Sequence, residues 1–236
     1  MSIYYLFYVI GFIAMTVYTL LLAPKYNIKR GRAIVHMTLS YVTNFLVMLL
    51  MYYIVNGGFG GQNIVRVYIF VPLIHYCYGR ILNMPIAKTM DLTAPFPCIL
   101  LGFAKFGCLI DGCCRSWLHV DWGMYNPIVN ATLFPVQLFE GLTALFIVIM
   151  VWMIARDHNY NAQGRTMPIM LLLFGITRFG WEFLRDNTKL FWGLSEFSLW
   201  ALASAIMGII WLVWLDKKKV KKENEDLNHM AELKTN

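Results

Sequence analysis

The sequence predicts an all-α integral membrane protein of about seven transmembrane helices, with its N-terminus outside and its C-terminus cytoplasmic. Three observations lead there. Apolar residues make up 59% of the 236 positions and charged residues only 14%, against about 25% charged in an ordinary globular domain. So few charges cannot cover a water-facing surface. Disorder is excluded as well, because it requires few aromatics and much charge, and aromatic residues are 16% here. The apolar residues also fall into runs of about 20, the length of helix that crosses a hydrocarbon core about 30 Å thick. Finally, the cations flank those runs unevenly.

The first run, Ile3–Ala23, lacks a basic leader and a small-residue cleavage site, so it reads as a retained span rather than a signal peptide. Ala33–Val55, Val67–Asn83, Leu92–Ile110, Pro135–Ala155, Thr166–Leu184 and Glu196–Leu215 follow. The third and fourth are short or interrupted by Pro72, Pro95 and Pro97. Prolines within spans need neighbouring helices to satisfy the freed carbonyls, which points to a packed bundle. Residues 1–215 thus form a seven-span membrane domain, and 216–236 a charged cytoplasmic tail.

That tail holds six Lys against five acids and contributes +1 of the net +7. The remaining cations are spread thinly among apolar stretches, unlike the clustered stripe that nucleic acid requires. With the tail on the cytoplasmic side, seven spans place fourteen Lys and Arg inside and six outside, as the positive-inside rule demands. The six are Arg66, Lys105, Arg115, Arg178, Arg185 and Lys189. Of the eight acids before the tail, only Asp91 and Asp157 fall inside; Asp111, Asp121, Glu140, Glu182, Asp186 and Glu196 fall at or near the outer face. Charges of both signs close to or within spans are costly in lipid and mark a functional cavity.

Arg178, Glu182 and Arg185 stand at i, i+4 and i+7, on one face of the sixth span. An interfacial anchor would explain Arg185, which can snorkel; Arg178 lies about 10 Å deeper along the helix. Gln137 and Glu140 share a face at the start of the fifth span, where a carboxylate could equally be an exposed helix-start acid. Lys105 lies within the fourth span and could be a snorkelling lysine. Gly102, Gly107 and Gly112 around it permit close approach of a backbone or a ligand.

Cys108, Cys113 and Cys114 crowd into seven residues beside Asp111. They could be small apolar filler, a disulfide, or, with His119, a zinc site. The spacing matches no standard zinc pattern, so neither a metal nor another cofactor is expected. His75, midway along the third span, is either an interhelical hydrogen-bonding group or a catalyst. His36, near the inner end of the second span, reads as interfacial.

From Asp91 to Gly208 the chain resembles the bacterial prolipoprotein diacylglyceryl transferase family, through three ordered segments. Asp91-Leu92-Thr93-Ala94-Pro95, followed by Ala104-Lys105-Phe106-Gly107-Cys108-Leu109-Ile110-Asp111-Gly112-Cys113, is similar to that family's aspartate, alanine-proline and glycine-arginine signature. Phe134-Pro135-Val136-Gln137-Leu138-Phe139-Glu140 is similar to its histidine-proline-x-glutamine-leucine-tyrosine-glutamate segment. Phe174 through Arg185 is similar to its segment of spaced tyrosine, arginine, glutamate, phenylalanine and arginine, with Phe174 at the tyrosine position. The resemblance implies seven spans and transfer of a diacylglyceryl group from phosphatidylglycerol to the cysteine thiol of a prolipoprotein lipobox. The implied place is the outer leaflet of the plasma membrane, and the implied partners are phosphatidylglycerol, the lipobox peptide and membrane lipid.

On that reading Arg178 and Lys105 meet the departing phosphate, where charge develops. Glu182 and Glu140 orient the cations or bind glycerol hydroxyls, and His75 is the candidate base. Gln137, Arg185, Asp111, Cys108 and Cys113 are the accompanying substrate-binding positions. The sequence also departs from the family pattern. Lys105 replaces an arginine and cannot offer a bidentate fork. Cys108 and Cys113 replace an asparagine and a glutamate, and Phe134 replaces a histidine. The family's histidine-glycine-glycine is absent, and Ile74-His75-Tyr76-Cys77-Tyr78-Gly79 stands nearest to it. Two alternatives accompany these departures: a repurposed relative acting on another lipid or thiol through Cys108, Cys113 and Cys114, or a non-enzymatic phospholipid-binding protein.

Overall fold

The computed structural model describes residues 3–57, 64–156 and 163–235; Asp157 lies outside them. Nine helices and two small hairpins are described. In order, they are α1 (Ile3–Leu22), α2 (Arg30–Asn56), α3 (Ile64–Val67), α4 (Val71–Ile81), α5 (Ile86–Thr93) and α6 (Phe96–Asp111). Next come the hairpin strands β1 (His119–Asn126) and β2 (Ala131–Leu133), then α7 (Val136–Arg156) and α8 (Thr166–Glu182). A second hairpin, β3 (Lys189–Phe191) with β4 (Leu194–Ser195), leads into α9 (Glu196–Thr235). Both hairpins are antiparallel.

Five stretches are long and apolar enough to cross a membrane: Ile3–Tyr26, Arg30–Val55, Ile86–Asp111, Val136–Arg156 and Glu196–Lys221. The chain is therefore a largely helical, multi-pass membrane protein. The prolines punctuate the remainder. Pro72 starts α4 and Pro97 starts α6, each in the first turn, where a missing N–H costs nothing. The fourth expected span is thus two stacked helices, α5 and α6, and begins at Ile86 rather than Leu92. The third expected span is divided into α3 and α4, and α4 alone, at 11 residues, reaches only about 17 Å. From Asp216 to Thr235 the chain continues α9 as helix.

Lipid tails are as apolar as leucine, so helices in a bilayer associate through close contact and polar links rather than through water exclusion. The α8–α9 pair shows both. A Cβ on Gly175 would stand 2.5 Å from Ala205 N and 2.6 Å from Ala201 O. Nearby, Ser204 Oγ donates to Leu171 O at 3.2 Å. Tyr68 stacks on Phe174 with ring centroids 3.6 Å apart. Around them Met90, Leu101, Met167, Met170 and Leu171 close the main core, methionine filling irregular gaps between helices.

Buried polar groups fasten the ends of these helices. The Asp91 carboxylate accepts from Gly164 N at 2.9 Å and Thr166 N at 3.0 Å, capping the start of α8. Arg66 forms a two-pronged pair with Glu196 in the first turn of α9, at 2.6 and 2.7 Å. At the other end of the spans, Arg156 lies over Trp152 and Lys218 over Trp214, 4.7 and 5.3 Å from the ring centres.

His36 is not interfacial: it is 1% exposed, and its ring stacks on His75 with centroids 5.1 Å apart. Its Nε2 lies 3.2 Å from the His75 carbonyl, an interhelical link that its position in the sequence does not show.

Gly175→Ala forces the α8 and α9 backbones apart and is expected to lower stability by about 1–3 kcal/mol. Gly180→Ala, with no atom within 4 Å of the added Cβ, is expected to be neutral or slightly stabilising, alanine being the better helix former. Thermal unfolding in detergent compares the two.

Candidate functional site

Three helices bring their charged residues to one place. Lys105 comes from α6, Glu140 from the first turns of α7, and Arg178 and Glu182 from α8, with Arg185 just beyond it. Gly141 allows the approach, since a Cβ there would stand 3.0 Å from Gly102 O and 3.2 Å from Lys105 Cβ. Glu140 is the hub. Its carboxylate pairs with Lys105 and with Arg178, and Arg185 Nη1 lies 3.5 Å away. Arg178 also pairs with Glu182 at 2.6 Å, one helical turn along. All five residues are buried. Lys105 is therefore no snorkelling lysine, and Glu140 no exposed helix-start acid.

Around this hub the second hairpin closes in. Ser195 Oγ donates to Glu182 at 2.8 Å, and the Asn187 amide also donates to Glu182. The chain after α6 is stitched to the chain after α8. Ser116 Oγ donates to Leu184 O at 2.6 Å, Trp117 Nε1 to Phe183 O at 2.8 Å, and Asp186 N to Arg115 O at 3.0 Å. Arg115 and Asp186 pair at 2.7 Å.

A cavity of about 310 Å³ opens beside the hub, lined by Lys105, Arg178 and Arg185, by Cys108 and Cys114, and by Tyr4 and Tyr8 of α1. Three cations face two carboxylates, so the set carries one net positive charge. Arg178 Nε and Arg185 Nε are buried and have no hydrogen-bond partner among the described residues. Unmet buried donors beside a cavity suit an anionic ligand.

The cysteines lie on the same wall. Helix α6 ends at Gly112, whose φ of +74° turns the chain back, and Cys114 is itself left-handed at φ +55°. Gln137 Nε2 donates to Cys113 O at 2.8 Å and Asn126 Nδ2 to Gly112 O at 2.8 Å, so two side chains hold the turn. The three sulfurs consequently lie within 4.8 Å of one another. Thiol donation from Cys108 and Cys113 holds Cys114 well below the usual thiol range despite its burial, and the Lys105 and Arg185 cations act the same way. All five cysteines are free, and His119 is exposed and outside the cluster.

The structure thus brings together Lys105, Glu140, Arg178, Glu182, Arg185, Cys108, Cys113 and, as a strut, Gln137. It does not bring in His75, which lies in a separate, mostly apolar pocket with Met15, Met37 and Phe96. Asp111 ends α6 but does not line the cavity. Phe134 joins a ladder of rings, stacked on Phe139, which stacks on Trp181. Reading the sequence missed Tyr4 and Tyr8; their i, i+4 spacing puts them on one helix face but does not set them apart from Tyr5, Phe7, Phe12 and Tyr18 in the same span. Asn187 and Ser195 carry no comparable signal.

The family model for prolipoprotein diacylglyceryl transferase matches residues 1–214. A phosphatidylglycerol–prolipoprotein diacylglyceryl transferase 2 of Clostridium perfringens is 26% identical over 145 residues, 58% of this chain and 56% of its own length. A phosphatidylglycerol–prolipoprotein diacylglyceryl transferase of Clostridium tetani is 25% identical over 48% of this chain and 47% of its own length. Another, of Streptococcus uberis, is 23% identical over 76% of this chain and 70% of its own length. The aligned region spans about half the length of the two clostridial relatives.

Removing Glu140 leaves three buried cations without their common partner, so Glu140→Ala is expected to cost about 3–5 kcal/mol. Arg115→Ala, which breaks the half-exposed pair with Asp186, is expected to cost no more than about 1 kcal/mol. Unfolding midpoints in detergent measure both, and equal losses would refute the hub.

Proposed function

The chain belongs to the prolipoprotein diacylglyceryl transferase family, and from that premise we propose that it is a repurposed member. On this reading it transfers a lipid group from an anionic phospholipid to a thiol, with Cys108, Cys113 and Cys114 serving the thiol half of the reaction. The observation that carries the proposal is one cavity wall bearing both Lys105, Arg178 and Arg185 and two of the clustered cysteines. The phosphodiester takes the unmet donors of Arg178 and Arg185. Lys105 adds a point charge, and the three cations stabilise the phosphate as it leaves. Glu140 and Glu182 sit behind the cations and fix their direction. Phosphatidylglycerol, as named for the relatives, is the proposed donor.

The proposed topology follows the charges: seven crossings of the plasma membrane, N-terminus outside, with the Val67–Asn83 stretch that contains α4, and α8, completing the five long stretches. Residues 216–236 then lie on the cytoplasmic side. The cavity lies towards the outer leaflet and takes the lipid sideways from the bilayer.

A second reading is the unaltered family reaction on a prolipoprotein lipobox peptide. It is supported by the relatives' activity and by the positions of Gln137, Glu140, Arg178, Glu182 and Arg185 in the matching segments.

The test is transfer from labelled phosphatidylglycerol in vesicles to a cysteine-containing lipobox peptide, with the lipidated peptide read by mass spectrometry. Arg178→Ala is expected to lose roughly 100- to 1,000-fold. Cys113→Ala and Cys114→Ala are expected to lose transfer as well, whereas full activity in both would select the unaltered family reaction. Lipid binding without transfer to any thiol by folded wild type would make the protein a binder rather than an enzyme.

A further inference from the structure

We infer that Cys108, Cys113 and Cys114 bind a zinc ion whose fourth position faces the cavity and receives the acceptor thiol. The inference rests on the thiol-transfer reading above and deepens it. Three sulfurs within 4.8 Å of one another need only small side-chain rotations to meet one ion, because Zn–S bonds of about 2.3 Å set tetrahedral sulfurs about 3.8 Å apart. Three protein ligands with one open position is the arrangement of catalytic rather than structural zinc.

Two further observations point the same way. The sulfurs do not gather by default. Their meeting depends on a left-handed non-glycine residue, Cys114 at φ +55°, a conformation that costs energy and persists where the surroundings impose it. Gln137 and Asn126 each commit a side-chain hydrogen bond to that turn, the one part-buried and the other buried. The charges also match. Three thiolates around Zn²⁺ carry one net negative charge, and the adjoining Lys105, Glu140, Arg178, Glu182 and Arg185 carry one net positive charge.

The chemistry follows from the placement. A thiol that coordinates zinc does so as thiolate, its proton released to water. The thiolate sulfur attacks the glyceryl carbon that carries the phosphate. The C–S bond forms, the C–O bond breaks, and its electron pair leaves with the phosphate oxygen toward Arg178 and Arg185. The product is a thioether, and nothing is oxidised or reduced. The zinc thus supplies what His75, in its separate pocket, is not placed to supply.

The experiment uses the full chain purified in detergent, reduced and free of chelator. Zinc content is measured by elemental mass spectrometry, and Co²⁺ replacement by the thiolate-to-cobalt charge-transfer band. About one zinc per chain and a charge-transfer band are expected for wild type and for Cys77→Ser. Both are expected to be lost in Cys108→Ser and in Cys114→Ser, each checked for wild-type circular dichroism. Reduced, folded wild type without metal or band overturns the inference, as does a band that survives both serine substitutions. A disulfide among these cysteines in zinc-free wild type overturns it too. Zinc binding without transfer to any thiol sinks the transferase reading and keeps the site. Transfer at an unchanged rate after chelation sinks the zinc role and keeps the reading.

Discussion

A carboxylate withdrawn from water inside a bilayer is tolerable only where cations surround it, and Glu140 is such a group. It draws Lys105 from α6, Arg178 from α8 and Arg185 from the segment beyond α8 into one cluster. Each of those charges would be equally costly alone. The cluster therefore acts as a three-way tie between elements that have no hydrophobic reason to meet in lipid. The cavity wall, the direction of the guanidinium groups and the position of the second hairpin, held through Ser195 and Asn187, all depend on it. On the proposed function, the arrangement that stabilises the bundle is also the one that meets the phosphate.

The small residues set how closely that tie can be drawn. Gly141 lets α7 approach α6 at the level of Lys105, and Gly175 lets α8 meet α9. Helices α4 and α6 begin with prolines in their first turns, which leave fewer N–H groups to satisfy, and the buried Asp91 carboxylate meets those at the start of α8. Polar termini within a membrane are admissible only when met by partners of this kind.

Much of this was legible in the residues themselves. Membrane class follows from the apolar fraction, and the shared face of Arg178 and Glu182 from helical spacing, whereas Arg185 joins them from beyond the end of α8. The partnership of Glu140 with Lys105 was not, because the two are 35 positions apart and only the α6–α7 approach joins them. His36 reads as interfacial from its place along α2, but burial beside His75 is decided by how α2 packs on α4. The hairpins are short and their registers shift, and β1 alone, with Val120, Trp122 and Met124 between His119, Asp121 and Gly123, carries the alternation that marks a strand in sequence. The three cysteines were visible as a crowd, yet their spacing fits no ligand pattern. What converges them is a backbone reversal at Gly112 and Cys114, held by side chains from β1 and α7.

The first half of α9 gives the bundle a gauge of bilayer thickness. Glu196, locked to Arg66, starts the helix, and Trp214 under Lys218 stands 18 residues later, a rise of about 27 Å. That distance approximates one hydrocarbon core, with an anchored charge at one edge and an aromatic–cation pair at the other. Because α8 is pressed against α9 at Gly175, the two tilt as one body when the surrounding lipid is thinner or thicker. Tilt of that body changes the depth of Arg178, so, on the proposed lipid-transfer reading, acyl-chain length in the host membrane is expected to set how far a donor lipid must rise to reach the cations.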